Sequence, residues 1–353
     1  MIEKYYSGVI EQIYNRIGKE TRNIVMANYS NDFSIENLEV IRRYQSNEDN
    51  VFFAYSEFSY NTLVGAYEPF LDIICNMHRR FIGGSFDDFQ KECGVYYLHR
   101  QVLNSYYETG ECFREETVLL NEVAYEQRRM TMAIADMLKK LSEVKPLMIV
   151  INRFQMASKS SIETIKYLID NPCANIGIVL GVNAIVKGTD STVEVWDRIV
   201  ESLEDRSAIY YIGSAGPLKN NVKTTNDDEL YITMNFEQSI QEASNIMEFL
   251  DFEQARRGCR IIEHKLKFED AWIDEKSLRR FYMVYARTSV LLGEMSKAIE
   301  LTNEYKALIP ENDSEHYLSL YYFMKGTCYM YQGKLEKAGN SAKSAYDYAV
   351  LAE

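Results

Sequence analysis

The sequence predicts an α/β fold, a parallel sheet with helices on both faces, followed by an all-α array of paired helices. Two observations carry this. From residue 1 to about 235, short apolar segments alternate with amphipathic stretches. From about 236 the short apolar segments stop, and six helix-length segments follow one another across short turns. Strands separated by helices favour a parallel sheet covered on both sides.

In chain order, MIEKYYSGVIEQIYNRI is an amphipathic helix rather than a leader peptide, because acids interrupt its apolar positions and it has no small-residue cleavage site. Strands are predicted at Ile24–Asn28, Val51–Ser56, Leu147–Ile151, Ile176–Gly181, Ala208–Ile212 and Leu230–Met234. Each is rich in Val, Ile or Tyr and bounded by turn or charged residues. Between the second and third lies a helical insertion, about 57–145, with its strongest segments at Thr62–Phe81 and Glu116–Leu141. The second half divides into helices at Phe236–Phe252, Glu253–Lys267, Glu275–Leu292, Met295–Leu308, Glu315–Gln332 and Lys334–Leu351. The expected domains are therefore 1–235 and 236–353.

Bulk composition excludes several functions. A net charge of −13 opposes wrapping of nucleic acid, which needs a concentrated Lys/Arg face. No segment reaches the roughly 20 apolar residues that span a bilayer. Six scattered cysteines without a CxxC pair read as buried thiols in a reducing cytoplasm. Four dispersed histidines offer no metal constellation. The 27 tyrosines read as amphipathic core-to-surface fillers before they read as stacking platforms. No metal, cofactor or catalytic triad is expected, and no membrane association.

Within the second half, Gly293, Ala298 and Pro310 resemble the later part of a tetratricopeptide repeat, and Gly326, Tyr329, Gly333, Ala338 and Ala345 fall at matching offsets in the next unit. The step from Gly293 to Gly333 is 40 residues, longer than the standard unit of about 34. The surplus fits the polar loop Glu311–Glu315. Ala298 and Ala338 are expected where paired helices cross closely, and the glycines at sharp reversals. An earlier, degenerate unit would place Ala255 at the crossing. A generic array of helical hairpins is the plainer alternative. The chain ends inside a helix, so the array is expected to be truncated.

The first half carries a second resemblance. LMIVINRFQMASKSSIETIKYL (147–168) is similar to the Walker B strand and following helix of the signal-transduction ATPases with numerous domains, in particular the large ATP-binding transcriptional regulators and cyclase-linked regulators of bacteria. Phe154, Gln155, Ala157, Ser160, Ser161 and Ile162 match that frame. The acids of the pattern do not: their positions hold Asn152, Arg153 and Ser158. The resemblance implies that the first acid would hold magnesium and the second would help activate water. Asn152 brings no charge to a divalent cation and Arg153 brings the wrong one. RNIVMANYSNDFSIENLEVIRRY (22–44) has the strand–loop–helix order of a Walker A region. There Tyr29 and Ser34 stand for the two glycines, and Ile35 and Glu36 for the Lys and Thr that grip phosphate and metal. Glu36 complements the helix dipole with its own carboxylate, where a phosphate would sit. Gly18-Lys19-Glu20-Thr21 precedes the first strand and lacks the upstream Gly, so it is a decoy. Tyr67, Pro69 and Phe70 match the sequel of the second strand, and Asn183 or a neighbour stands where the resemblance implies a sensor Arg.

The expectation is a non-catalytic signalling scaffold, a pseudo-ATPase platform whose repeats bind a protein or peptide partner, with oligomerisation left open. Two alternatives stand beside it. One is a weak, unconventional nucleotide-binding ATPase. The other is the sensor portion of a transcription regulator or cyclase whose effector lies outside this chain.

Overall fold

A computed structural model describes residues 2–29, 38–46, 50–59, 63–114, 122–183, 193–206, 208–212, 235–268, 273–312 and 314–352. The chain divides into two compact units. One comprises Met1–Thr117 and Ala124–Thr233, the other Val118–Val123 and Met234–Glu353.

The first unit is built on strands β1 (Ile24–Tyr29), β2 (Phe52–Glu57), β3 (Leu147–Asn152), β4 (Ile176–Asn183) and β5 (Ile209–Ile212). All pairings are parallel, in the order β2-β3-β4-β1-β5. β3 and β4 are buried along their whole length, as expected of strands covered on both faces. Five of the six expected strands are thus present, with ends that differ from expectation by at most two residues. The sixth, Leu230–Met234, lies outside the described residues.

Helix α1 (Ile2–Arg16) precedes β1 and packs on β4, β1 and β5. α2 (Glu39–Ser46) follows β1 and packs beside α1 and against β2. Crossover handedness explains why α1 is needed. The connection from β1 runs to the far edge, whereas those from β2, β3 and β4 run the opposite way, so right-handed crossovers put α2 alone on one face. α1 covers the remainder of that face. Tyr6, Ile10 and Ile13 of α1 share a core with Val25, Ala27 and Tyr29 of β1 and Val179 of β4.

The insertion holds α3 (Phe70–Met77), a π-helical turn (His78–Ile82), α4 (Phe86–Glu92), α5 (Tyr97–Thr109) and α6 (Val123–Val144). The expected single helix Thr62–Phe81 is therefore corrected. Residues 63–69 are non-helical, Tyr67 sits at φ 58°, and Pro69, with no N–H to donate, stands at the cap of α3. α5 escapes the sequence reading because its apolar stripe is diluted by Arg100, Gln101, Asn104 and Ser105. α7 (Lys159–Asp170) and α8 (Val193–Glu204) follow β3 and β4 and pack together.

The second unit contains α9 (Phe236–Glu248), α10 (Phe252–Phe268), α11 (Glu275–Leu291), α12 (Met295–Ala307), α13 (Ser314–Tyr331) and α14 (Leu335–Ala352). Consecutive helices form antiparallel hairpins. The α9–α10, α11–α12 and α13–α14 reversals have the same two hydrogen bonds: Leu250 N–H to Met247 O and Asp251 N–H to Ile246 O, then 293→290 with 294→289, then 333→330 with 334→329. This is a Schellman closure, with Leu250 (φ 68°), Gly293 (φ 78°) and Gly333 (φ 72°) in the left-handed position. The α9–α10 boundary falls at 249–251, earlier than the expected break at 252, because this closure ends the helix.

Candidate functional site

In open parallel sheets, ligands bind beyond the carboxyl ends of the strands, where connections diverge. That point here lies between β1 and β4. Tyr29 is in register with Asn183 and Ile212, and Glu57 with Asn152, which stands two residues short of Asn183 because Ile151 pairs with Leu180. The positions singled out at Tyr29, Asn152, Arg153 and Asn183 therefore converge on one rim. Ser34, Ile35 and Glu36 lie outside the described residues.

The rim is occupied by side chains of the chain itself. The Tyr29 hydroxyl donates to Asn152 Oδ1 at 2.7 Å, both residues being fully buried. β4 separates these strands, so the contact spans the space above Gly181. A Cβ built on Gly181 would lie 2.1 Å from the Tyr6 hydroxyl and 2.8 Å from Asn152 Oδ1. Only glycine leaves that room. The Tyr6 ring, brought in by α1, meets the Tyr29 ring edge-on at 6.3 Å. Burial, then the neighbouring Tyr29, Tyr55 and Glu57, holds the Tyr6 phenol well above its ordinary range, so it stays protonated.

Arg153 follows β3 directly, in the left-handed region at φ 54°. Its Nη1 is 3.0 Å from Glu57 Oε1 and donates to the Phe58 carbonyl at 3.4 Å. The Tyr55 hydroxyl donates to the other Glu57 oxygen. The guanidinium is thus neutralised by the last residue of β2. The Asn183 N–H donates to Gln155 Oε1 at 3.3 Å, tying the end of β4 to the turn after β3.

Ser158 caps α7, its hydroxyl accepting from Ser161 N–H at 3.4 Å. The neighbouring hydroxyls serve the insertion. Ser160 Oγ accepts from Tyr67 N–H at 3.0 Å, and Ser161 Oγ donates to Glu68 O at 2.7 Å. The start of α7 and the segment before α3 therefore touch, through Ser160 with Tyr67 and Ser161 with Glu68. Burial raises the Glu68 carboxyl above the usual range, although it accepts Gly65 N–H at 2.9 Å.

Gly18 lies at the opposite, amino-terminal ends of the strands, where its N–H bonds Ala174 O just before β4. This position separates the Gly18–Thr21 decoy from the rim. Sequence reasoning missed Tyr6, Glu57 and Gly181. A signal existed for Gly181: Gly177 and Gly181, four apart on a strand, clear one face for a helix. A Cβ on Gly177 would strike Ile17 at 2.8 Å.

All six cysteines are free thiols. Burial pushes Cys75 and Cys93 up to about 12 and Cys328 to about 11, far from reactive thiolate. Among the described residues no group of three or more His, Cys, Asp or Glu has metal-binding geometry, and no helix is long and apolar enough to cross a membrane.

The repeat-packing residues fall as follows. Gly293 and Gly333 make the left-handed turns, Ala298 is fully buried, Ala338 is half-buried and Pro310 is half-buried after α12. A Cβ on Gly326 would come within 3.3 Å of Ser341 Cβ and 3.4 Å of Ala338 O, so Gly326 sets the α13–α14 approach. Ala255 is fully buried five residues after Leu250, in step with Ala298 after Gly293 and Ala338 after Gly333. No protein-family model and no curated protein matches this chain.

Proposed function

We propose that this chain is a non-catalytic regulatory scaffold, in which a sheet of ATPase type serves as a rigid platform and the helical hairpins bind a protein or peptide partner. The observation that supports it most is the filled rim, where the Tyr29–Asn152 hydrogen bond spans β4 under Tyr6. Phosphate binding needs exposed backbone N–H groups and a free cation, and a catalytic metal needs anionic oxygen. Here the strand end offers a neutral amide, and the cation beside it is committed to Glu57. On the partner side, Gln241–Arg280 and Glu248–Arg287 contacts align α9 beside α11. Rows of aligned helices of this kind present extended surfaces to peptides.

One observation favours weak nucleotide binding instead. Asn28, next to the end of β1, is 1% exposed, and among the described residues neither polar atom of its amide has a hydrogen-bond partner. Such a group has capacity for a polar ligand. Titrating ATP and ADP into the protein, with and without magnesium, separates the readings. The scaffold reading expects no saturable binding at millimolar nucleotide. Micromolar, magnesium-dependent binding overturns it.

A further inference from the structure

A cavity of about 560 Å³ opens between the first two hairpins of the second unit. Its walls are Arg260 and Glu263 of α10, Tyr285 of α11, and residues 293–297, which form the turn into α12 and its first residues. α9 and α11 begin at side chains that cap them: Asn235 accepts from Gln238 N–H and Asp274 from Ser277 N–H. The side chain of Glu294, at the cap of α12, makes no such bond and pairs with Arg256 at 2.7 Å instead. Among the described residues, the Ser296 and Lys297 N–H groups have no hydrogen-bond partner. Taken alone, such a helix start would simply be hydrated.

Side chains from two neighbouring helices make it more than a bare helix end. Tyr285 is 3% exposed, yet among the described residues its hydroxyl has no hydrogen-bond partner. The Tyr305 hydroxyl is sealed from solvent, whereas that of Tyr285 opens on the cavity. Burial, then Glu263, pushes the Tyr285 phenol up to about 12, so it stays a donor. Lys297 Nζ stands 5.5 Å from the centre of its ring. Arg260 is exposed on the wall, and among the described residues no carboxylate pairs with it. The acids around it are engaged: Glu294 with Arg256, Glu263 with Lys297 and Lys267, Glu300 with Lys297. Arg260 is therefore the surplus cation.

We propose that this cavity binds a small organic molecule through one phosphate monoester group, held by the Arg260 guanidinium, the Ser296 and Lys297 N–H groups and the Tyr285 hydroxyl. A nearly buried hydroxyl without a partner has capacity for a polar ligand, and N–H groups at a helix start favour an anion. The donors come from three helices, so a tetrahedral group with three free oxygens can meet all of them, which a planar carboxylate cannot. Charge agrees: Arg260 and the helix terminus, worth about +0.5, offset a monoester of roughly −1.5 to −2. Nucleoside di- and triphosphates bring further negative charge against Glu263, Glu294 and Glu300 and are disfavoured. The volume lies within the usual range of about 300–1,000 Å³ for small-molecule sites, so the ligand is larger than a free ion. This site shares no residue with the strand-end rim. Nucleotide binding at the rim would survive changes at Arg260 and Tyr285, so the two readings fail separately.

The test titrates inorganic phosphate and phenyl phosphate with the whole chain, followed by phosphorus NMR. Saturable binding of both is expected, tighter for phenyl phosphate and not displaced by equimolar benzoate. Arg260→Gln is expected to weaken it about tenfold or more, the loss of one charge-assisted contact. Tyr285→Phe, which removes only the hydroxyl, is expected to weaken it about threefold or more. Arg260 is exposed and the Tyr285 hydroxyl has no partner to lose, so both variants are expected to keep the parent's melting curve. Absence of saturable binding by either probe, or binding indifferent to both substitutions, overturns the proposal. Displacement by benzoate overturns the choice of phosphate. Tighter binding of a phosphoserine peptide than of phenyl phosphate overturns the choice of a small molecule.

Discussion

At the rim of the sheet, single atoms decide what fits. Replacing Tyr29 by Phe removes the donor to buried Asn152 Oδ1, and urea denaturation is expected to show a loss of about 1–3 kcal/mol, the cost of an unsatisfied buried acceptor. Gly181→Ala is expected to cost about 1–3 kcal/mol through overpacking, because its Cβ meets the Tyr6 hydroxyl. The Tyr6→Phe background is expected to reduce that penalty, since the hydroxyl is the nearest atom, and a double-mutant cycle reads the difference. His78 supplies a pH handle. Its ring is buried among Phe86, Phe89 and Tyr107, with Nδ1 3.1 Å from the Tyr107 hydroxyl. Burial, then Arg79, lowers its pKa from 6.5. The unfolded chain then binds the proton more readily, so His78 supports stability above about pH 6.5 and loses that support as pH falls toward the depressed value. Melting curves between pH 7 and pH 5 are expected to fall less steeply for His78→Phe. At this scale Tyr29, Asn152 and Arg153 were legible as positions, because each stands where an apolar strand ends. Tyr6 and Glu57 were not, because their role depends on which strands become neighbours.

Helix ends and reversals form the next scale. A Cβ added to Gly293 would meet no atom within 4 Å, yet the residue sits at φ 78°. Gly293→Ala is expected to cost only the left-handed backbone penalty, about 1–2 kcal/mol by chemical denaturation. Leu250 occupies the same turn at φ 68° but is 2% exposed. Removing its side chain forfeits about 2–5 kcal/mol of burial, so Leu250→Gly is expected to destabilise despite relieving the backbone. This pair of results would show that the first hairpin keeps the repeat's turn geometry while trading glycine for core. Elements with an undiluted period were legible: five strands and the six helices after 235 fall within a few residues of expectation. α5 and the break at 63–69 were not. The break is held by packing of the insertion against the Ser158–Ser161 cap, which no local pattern announces, and α5 is hidden by the polar residues in its apolar stripe.

At the scale of the molecule, α1 is the element that completes the sheet's second face. Ile10 and Ile13 are fully buried there, and each truncation to Ala is expected to cost about 2–5 kcal/mol. Removing residues 2–16 uncovers Val25, Ala27, Tyr29, Val179 and Ile212 together. Near-ultraviolet circular dichroism is expected to show loss of fixed packing around the tyrosines of the first unit. Residue order was enough to reveal the alternation of strands and helices, the change to helices after residue 235, and where the strands end. These follow from side-chain period and residue type, which are local properties. Folding in three dimensions was needed to place β4 between β1 and β3, to bring Tyr29 to Asn152 across Gly181, and to set Glu57 against Arg153. Those contacts join residues as many as 123 positions apart, and strand order, which brings them together, is set by crossover handedness and by which faces remain to be covered.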